Sequence, residues 1–441
     1  MEHIFKGHIK STLLLAYPVA IGQLGQVLMG VVDNLFVGKL GTVPLAATSI
    51  ATSIFFLILV LGLGFTYAIS PLVAIAIGAD RTDECEHILK HALLINTIVA
   101  LLLVSATFAT SYNITYLNQP PDVARLAAVY LRIIGISIIP VMIFQTFRQF
   151  IEGMSIMLPG MLIAIAANII NAFGNWVLVF GKLGLPELGF EGSALATLLT
   201  RIFMAVAIVV YIFSSRKFDK FNINLRMGKF LKPVAAKIIT MGTSSGFQYF
   251  FEVGAFSSAA VIIGWIGTPQ LAAHQIALNL ATIPYMAALG VSAASAIRIG
   301  SLLGSGDMKG ARHAGFAAII IGGTAELISG AVFILFRDSL PALYISDAHV
   351  ISITSALLVI AAFFQISDGV QAVALGALRG LTDVKIPTII TFISYWILGL
   401  PAGYLLAFHF SLGVNGVWIG FIVGLTASAV LLTSRFWFRS R

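Results

Sequence analysis

Apolar runs of about 20 residues or more, separated by short polar or glycine-containing breaks, fill the chain from end to end. Twelve can be drawn, at 13–38, 44–72, 88–111, 123–150, 158–180, 192–214, 234–264, 271–302, 312–336, 350–377, 386–408 and 413–434. Each is long enough to cross a bilayer as a helix, and the second, fourth and eighth are long enough to tilt or project. No run alternates apolar and polar positions as a membrane strand does, so the pattern predicts an all-α polytopic membrane protein. Short breaks make neighbouring helices antiparallel. The one extended polar connection, Ser214 to Lys232, divides the chain into an N-lobe over 1–215, a connection over 216–232 and a C-lobe over 233–441, with six helices in each lobe.

The two lobes repeat one another. Leu40-Gly-Thr-Val-Pro-Leu-Ala-Ala47 matches Ile266-Gly-Thr-Pro-Gln-Leu-Ala-Ala273 at an offset of 226, which also sets Leu63-Gly64 against Leu289-Gly290. Further on, Leu188-Gly-Phe-Glu-Gly192 matches Leu412-Gly-Val-Asn-Gly416 at an offset of 224. An even number of helices per copy keeps both copies in one orientation. That predicts lobes related by a pseudo-two-fold along the membrane normal, with a central cavity, which is transporter architecture although some channels share it.

Composition agrees with the pattern: 59% of residues are hydrophobic and 10% charged, against roughly 25% charged in a soluble domain. The net charge of +8 changes the picture only through its placement. With the N-terminus in the cytoplasm, twenty of the 26 Lys and Arg residues fall on that side and only Lys39, Arg125, Lys182 and Arg337 on the other. Such a bias fixes both termini as cytoplasmic. The basic connection, with Arg216, Lys217, Lys220, Arg226, Lys229 and Lys232, reads as topology and lipid headgroup contact rather than nucleic-acid binding. Met1 to Ser11 lacks the pattern of a cleavable signal. The single cysteine, Cys85, in an acidic loop, carries no disulfide, redox or metal message. No Walker motif, nucleophile signature or pair of catalytic acids appears, so the chain is not read as an enzyme.

Three acids interrupt the apolar runs: Asp33, Glu252 and Asp368. An ionisable group at that depth costs roughly 3 kcal/mol on insertion scales unless a partner or water relieves it. Each lies on a polar stripe at helical spacing. Gln23, Gln26, Gly30 and Asp33 share one face of the first helix, Ser245, Gln248 and Glu252 one face of the seventh, and Gln365, Asp368 and Gln371 one face of the tenth. Carboxylate, amide and hydroxyl oxygens suit a hard cation such as sodium, or a proton relay, better than a soft metal. Interhelical hydrogen bonding alone would also account for the amides and serines. It accounts less well for Glu252 and Asp368, where an amide would serve without the ionisation cost. The repeat sets Glu252 against Gln26 and Asp33 against Ala259, so the acids are not symmetric and the second lobe carries two of the three. Asn171 and Asn175, one turn apart on the fifth helix with apolar counterparts near Leu398 and Ala402, could complete a site with Asp33 or serve helix packing. Arg132, Arg201 and Glu326 are further charges within spans, and His274, near a helix start, reads as structural.

Taken together, Pro18-Val-Ala-Ile-Gly-Gln23 with Val32-Asp33, Gly38-Lys-Leu-Gly41, Asn171-Ala-Phe-Gly-Asn175, Gly181-Lys-Leu-Gly-Leu-Pro-Glu-Leu-Gly189 and Gly376-Ala-Leu-Arg-Gly380 resemble the multidrug and toxic compound extrusion (MATE) transporters, in their bacterial NorM-like branch. The resemblance covers nearly the whole chain. It implies export of organic cations against an inward flow of sodium or protons, sodium being favoured by the branch, with no cofactor besides the coupling ion. It also implies a multi-pass protein of the bacterial inner (cytoplasmic) membrane. By matching position, Glu252 and Asp368 are the second-lobe cation site, and Asp33 the first-lobe acid with Asn171, Asn175 and Thr197 around it. Some relatives carry an acid where this chain has Asn175. Tyr285 is expected to line the cavity as an aromatic face for a cation, with Gln26, Gln248 and Gln365 as further lining residues. Lipids are the other expected partners, nucleic acid is not, and the chain is expected to act as a monomer. A flippase for a lipid-linked saccharide would call for a cavity rich in Arg and Lys, and a channel for currents beyond transporter turnover.

Overall fold

The computed structural model describes residues 2–117, 119–221, 223–224, 228 and 230–441. Arg226 and Lys229 of the basic connection lie outside the described residues. Among those described there is no strand, and twelve helical stretches are long and apolar enough to span a membrane, overlapping the predicted runs one for one. In chain order the helices are α1 (Glu2–Gly38), α2 (Thr42–Thr66), α3 (Ile69–Gly78), α4 (Thr82–Tyr112), α5 (Pro121–Ile136), α6 (Ile138–Gly153), α7 (Leu158–Phe180), α8 (Gly189–Ser214), α9 (Lys232–Ile266), α10 (Thr268–Gly304), α11 (Met308–Leu335), α12 (Ser339–Ala342), α13 (Ala348–Gly380), α14 (Lys385–Phe392), α15 (Leu400–Tyr404) and α16 (Gly413–Arg439).

Two spans that read as single runs are broken, and proline explains both. The second span is α2 and α3, with a break at Tyr67 and Ala68; the fourth is α5 and α6, with a break at Ser137. A proline ring clashes with the carbonyl four residues earlier, and here those are Tyr67 before Pro71 and Ile136 before Pro140. The Ser137 hydroxyl donates to the Ile134 carbonyl, which also accepts from the Ser137 N–H at 3.0 Å, so both groups of Ser137 close the end of α5. The eleventh span departs differently: π-helical turns over Ile393–Gly399 and Leu405–His409 flank α15. Cys85 is buried in the first turns of α4, not in a loop.

Backbone conformation carries the repeat as well as sequence does. The turns at Asp80 (φ 57°) and Gly306 (φ 79°) stand 226 residues apart, and those at Ser155 (φ 63°) and Thr382 (φ 59°) stand 227 apart. Gly189 (φ 52°) and Gly413 (φ 57°), which open α8 and α16, stand 224 apart.

By backbone packing the chain separates into a first unit of Gly22–Ile77 with Arg81–Gly246 and a second of Met1–Ile21, Gly78–Asp80 and Phe247–Arg441. α1 and α9 therefore contribute residues to both. The first unit packs around Phe55, Leu59, Tyr130, Leu131 and Met142. The second has one apolar cluster around Phe364, Trp418 and Phe421 and another around Ala294, Ala311, Ala377 and Phe436. Large apolar side chains such as Leu102, Ile169, Val261 and Phe363 are exposed, as suits contact with lipid, while Asp33, Asn171, Asn175, Glu252 and Asp368 are buried. Polar-in, apolar-out is the arrangement a bilayer selects.

Close helix contacts depend on missing side chains. A Cβ at Gly64 would overlap the backbone of Gly246, and one at Gly246 would lie 2.7 Å from the Leu61 carbonyl oxygen. Backbone cannot move aside as a flexible side chain can, so Gly64→Ala is expected to destabilise by about 1–3 kcal/mol through overpacking. Heat unfolding in detergent, with Gly30→Ala as the control at a helical glycine with open space around it, should show the loss only at Gly64.

Candidate functional site

Within the first unit, α1, α7 and α8 bring four buried polar residues to one point. Asp33 Oδ1 accepts from Asn175 Nδ2 at 2.8 Å and from Asn171 Nδ2 at 3.1 Å, and Thr197 Oγ1 donates to Asp33 Oδ2 at 2.6 Å. The i, i+4 spacing of the two asparagines puts both amides on the α7 face toward the acid. Every donor in this cage is neutral. The amide oxygens of Asn171 and Asn175 are buried with no partner, which leaves oxygen ligands in reserve beside the carboxylate. Gln26, on the same stripe, is exposed and is not among the groups bonded to Asp33.

Within the second unit, Glu252 on α9 accepts at Oε1 from the Tyr285 hydroxyl of α10 at 2.8 Å. Asp368 on α13 is held more loosely, by Gln371 Nε2 at 3.3 Å. Gln371 is itself fixed: Nε2 also donates to the Tyr395 hydroxyl at 2.7 Å, and Oε1 accepts from Ser428 of α16 at 2.8 Å. Asp368 lies within electrostatic reach of Glu252 and, separately, of Glu326. Gln248, one turn before Glu252, is buried with Nε2 unpaired, and Gln365, one turn before Asp368, is buried with both amide atoms unpaired. These acids and amides bring together oxygen ligands with no cation bonded to either carboxylate, suited to a proton or a hard monovalent ion. Among the described residues no cluster of three or more His, Cys, Asp or Glu side chains could hold a metal ion.

Two details add to the sequence reading. Tyr285 meets the site through its hydroxyl, which donates to Glu252. Tyr395, in the π-helical part of the eleventh span, joins the Asp368 stripe through Gln371 and was not singled out; a 3.6-residue period does not hold through such turns. The intramembrane arginines engage hydroxyls and rings. Arg132 donates to Ser111 at 3.3 Å and lies over Tyr112, and Arg201 donates to Ser137 at 2.5 Å and lies over Phe55. His274 is structural, accepting at Nδ1 from Trp418 Nε1 at 3.2 Å. Glu152, also not singled out, forms a buried ion pair with Arg148 at 2.6 Å.

A family model described as MatE matches residues 18–177 and again 245–405, well over half of the chain and once in each half. A multidrug resistance protein NorM of Photobacterium profundum is 32% identical over 437 residues, covering 98% of this chain and 96% of the relative. A probable multidrug resistance protein NorM of Rhizobium meliloti is 34% identical over 434 residues, covering 97% of this chain and 93% of the relative. The crystal structure of a eukaryotic MATE transporter matches with a TM-score of 0.91 at 22% identity, covering 99% of this chain and 98% of that one. A multidrug resistance MATE family transporter in an outward-facing conformation matches with a TM-score of 0.89 at 21% identity, covering 99% and 97%. At such identities the two structures speak to the fold alone.

Proposed function

This chain belongs to the MatE family of transporters, and from that premise we propose that it exports organic cations by antiport with an inward-moving sodium ion or proton. It is a multi-pass transporter and not an enzyme. The curated relatives are named as multidrug resistance proteins, which supports a broad range of small organic substrates. The positive-inside bias supports a bacterial inner membrane location with both termini in the cytoplasm.

The observation that carries the reading is the same in both units: a buried carboxylate held only by neutral donors. Asp33 has two asparagines and a threonine; Glu252 has a tyrosine. An acid so placed can take a proton or a cation and give it up again, because no cation is bonded to it; the nearest guanidinium charges, Arg201 for Asp33 and Arg379 for Glu252, act only through space. An asparagine that donates its amide to an ionised Asp33 can turn over to offer its oxygen to a cation. In the cycle the ion enters from outside and neutralises the Glu252–Asp368 region, which alters the packing of α9 and α13 and favours release of the organic cation outward. Linkage then requires ion and drug to favour different states or to compete for the same carboxylates.

Sodium is the coupling ion in this reading. Vesicles loaded with a cationic dye, given a sodium pulse at fixed pH, should export it, and a pH step without sodium should do much less. Full response to the pH step with no response to sodium would transfer the role to the proton.

A further inference from the structure

One carboxylate takes no part in the cycle just described. Glu326, near the middle of α11, is fully buried, and neither Oε1 nor Oε2 has a hydrogen-bond partner. Tying helices together requires a donor, and an ion pair requires a cation; neither meets these oxygens. A glutamine would fill the same volume without the penalty of an ionisable group at that depth. The position uses the ability to gain or lose charge.

The packing says which species it takes. α11 and α13 meet along a glycine seam, where a Cβ at Gly322 would lie 2.6 Å from Val373 and one at Gly330 would lie 2.7 Å from the Ala362 carbonyl. A Cβ at Gly369 would overlap Cγ of Glu326 itself, so the Glu326 side chain lies over Gly369, the residue after Asp368. So close a seam suits a proton, which needs no coordination shell, better than a metal ion with several ligands. Because Gly369 follows Asp368 in the chain, Glu326 packs against the turn of α13 that carries Asp368, near enough for its charge to be felt there.

The surroundings supply no competing charge. On α13 the titratable groups are His349 in the first turn, about five turns before Asp368, then Asp368 itself and Arg379, which lies over the Tyr249 ring about three turns beyond Asp368. On α10 they are His274, bonded to Trp418, Tyr285, bonded to Glu252, and Arg298, which donates to His8 and Thr12. On α16, Arg435 and Arg439 pair with Asp383. On α11 itself, Lys309, Arg312, which lies over Trp437, and His313 all sit more than three turns before Glu326.

We propose that Glu326 holds a proton, and that losing this proton sets the affinity of the Asp368 site for its cation. The inference rests on the reading of Asp368 as an ion site. Release of the proton places a second negative charge beside Asp368 and tightens sodium binding; uptake of the proton loosens it. Glu326 is thus a positioning residue for charge, acting through Asp368.

Infrared difference spectra of the full-length protein test the proton directly. Glu326→Gln, with Glu326→Met as a second variant of similar volume, should lose one protonated-carboxyl band at neutral pH, and in the wild type that band should move when sodium is added. Variants that keep every such band, or a band that sodium leaves unmoved, overturn the proposal. Radioactive sodium binding measured against pH gives the functional arm. Wild-type affinity should rise with pH, and Glu326→Gln should remove a part of that rise on the order of tenfold, the worth of one charge at helix–helix distance. An unchanged pH profile in Glu326→Gln overturns the link to Asp368. Absence of sodium binding to the wild type would instead sink the sodium reading above, and the infrared variants would still decide whether Glu326 carries a proton.

Discussion

Glu252→Gln and Asp368→Asn are each expected to reduce ion-driven dye export to the passive leak of empty vesicles while leaving the protein folded. In Glu252→Gln the amide oxygen can still accept from Tyr285, which now bonds Oε1 at 2.8 Å. In Asp368→Asn the amide oxygen can still accept from Gln371, now at 3.3 Å. Shape and hydrogen bonds are therefore kept and only the capacity to carry charge is removed. Because an ionisable group in the bilayer interior is a burden to the fold, both variants should melt at or above the wild-type temperature in detergent. Tyr285→Phe is the contrast. It removes one hydrogen bond, worth about 1–3 kcal/mol when the acceptor is charged, and should slow export several-fold without abolishing it. Normal transport by both acid variants would remove the Glu252–Asp368 region from the coupling mechanism.

The spans and the repeat were legible because hydrophobic length and turn chemistry act locally. Twenty apolar residues cross a bilayer whatever they pack against, and the residues at Gly189 and Gly413 hold positive φ in both copies. The breaks at Tyr67 and Ser137 were legible in principle, since Pro71 and Pro140 mark them four and three residues ahead. Asp33, Asn171 and Asn175 could be joined because each pattern fits an ordinary helix face, and Thr197 came through family resemblance. Tyr395 could not be placed from spacing, because π-helical turns shift the face on which a residue emerges. Gln26 shares a stripe with Asp33 but is exposed and takes no part in the bonds to that acid. A stripe fixes direction from the axis, not what stands opposite it.

Arg148 shows the same limit from the side of charge, and it carries the largest expected effect on stability. Counted among the basic residues that orient the chain, it is instead buried in the first unit, with Nε 2.6 Å from Glu152 Oε1 and side-chain exposures of 3% and 1% for the pair. Gln149 Nε2 donates to Glu152 Oε2 at 3.0 Å, and Ser70 of α3 donates to Gln149 Oε1 at 2.8 Å. Gly22 and Gly160 flank the arginine, where a Cβ on either would press to 3.3 Å against it. Arg148→Met keeps the apolar stem but strands Glu152 with one neutral donor, which is expected to destabilise by about 3–5 kcal/mol. Arg148→Met with Glu152→Met removes both charges and should recover most of that loss, because a buried pair owes little of its worth to attraction once desolvation is counted. Thermal unfolding in detergent and the yield of folded protein measure both. A single variant as stable as wild type would mean that water or another cation reaches Glu152; a double variant as unstable as the single one would mean that shape, not charge, is what Arg148 supplies between Gly22 and Gly160.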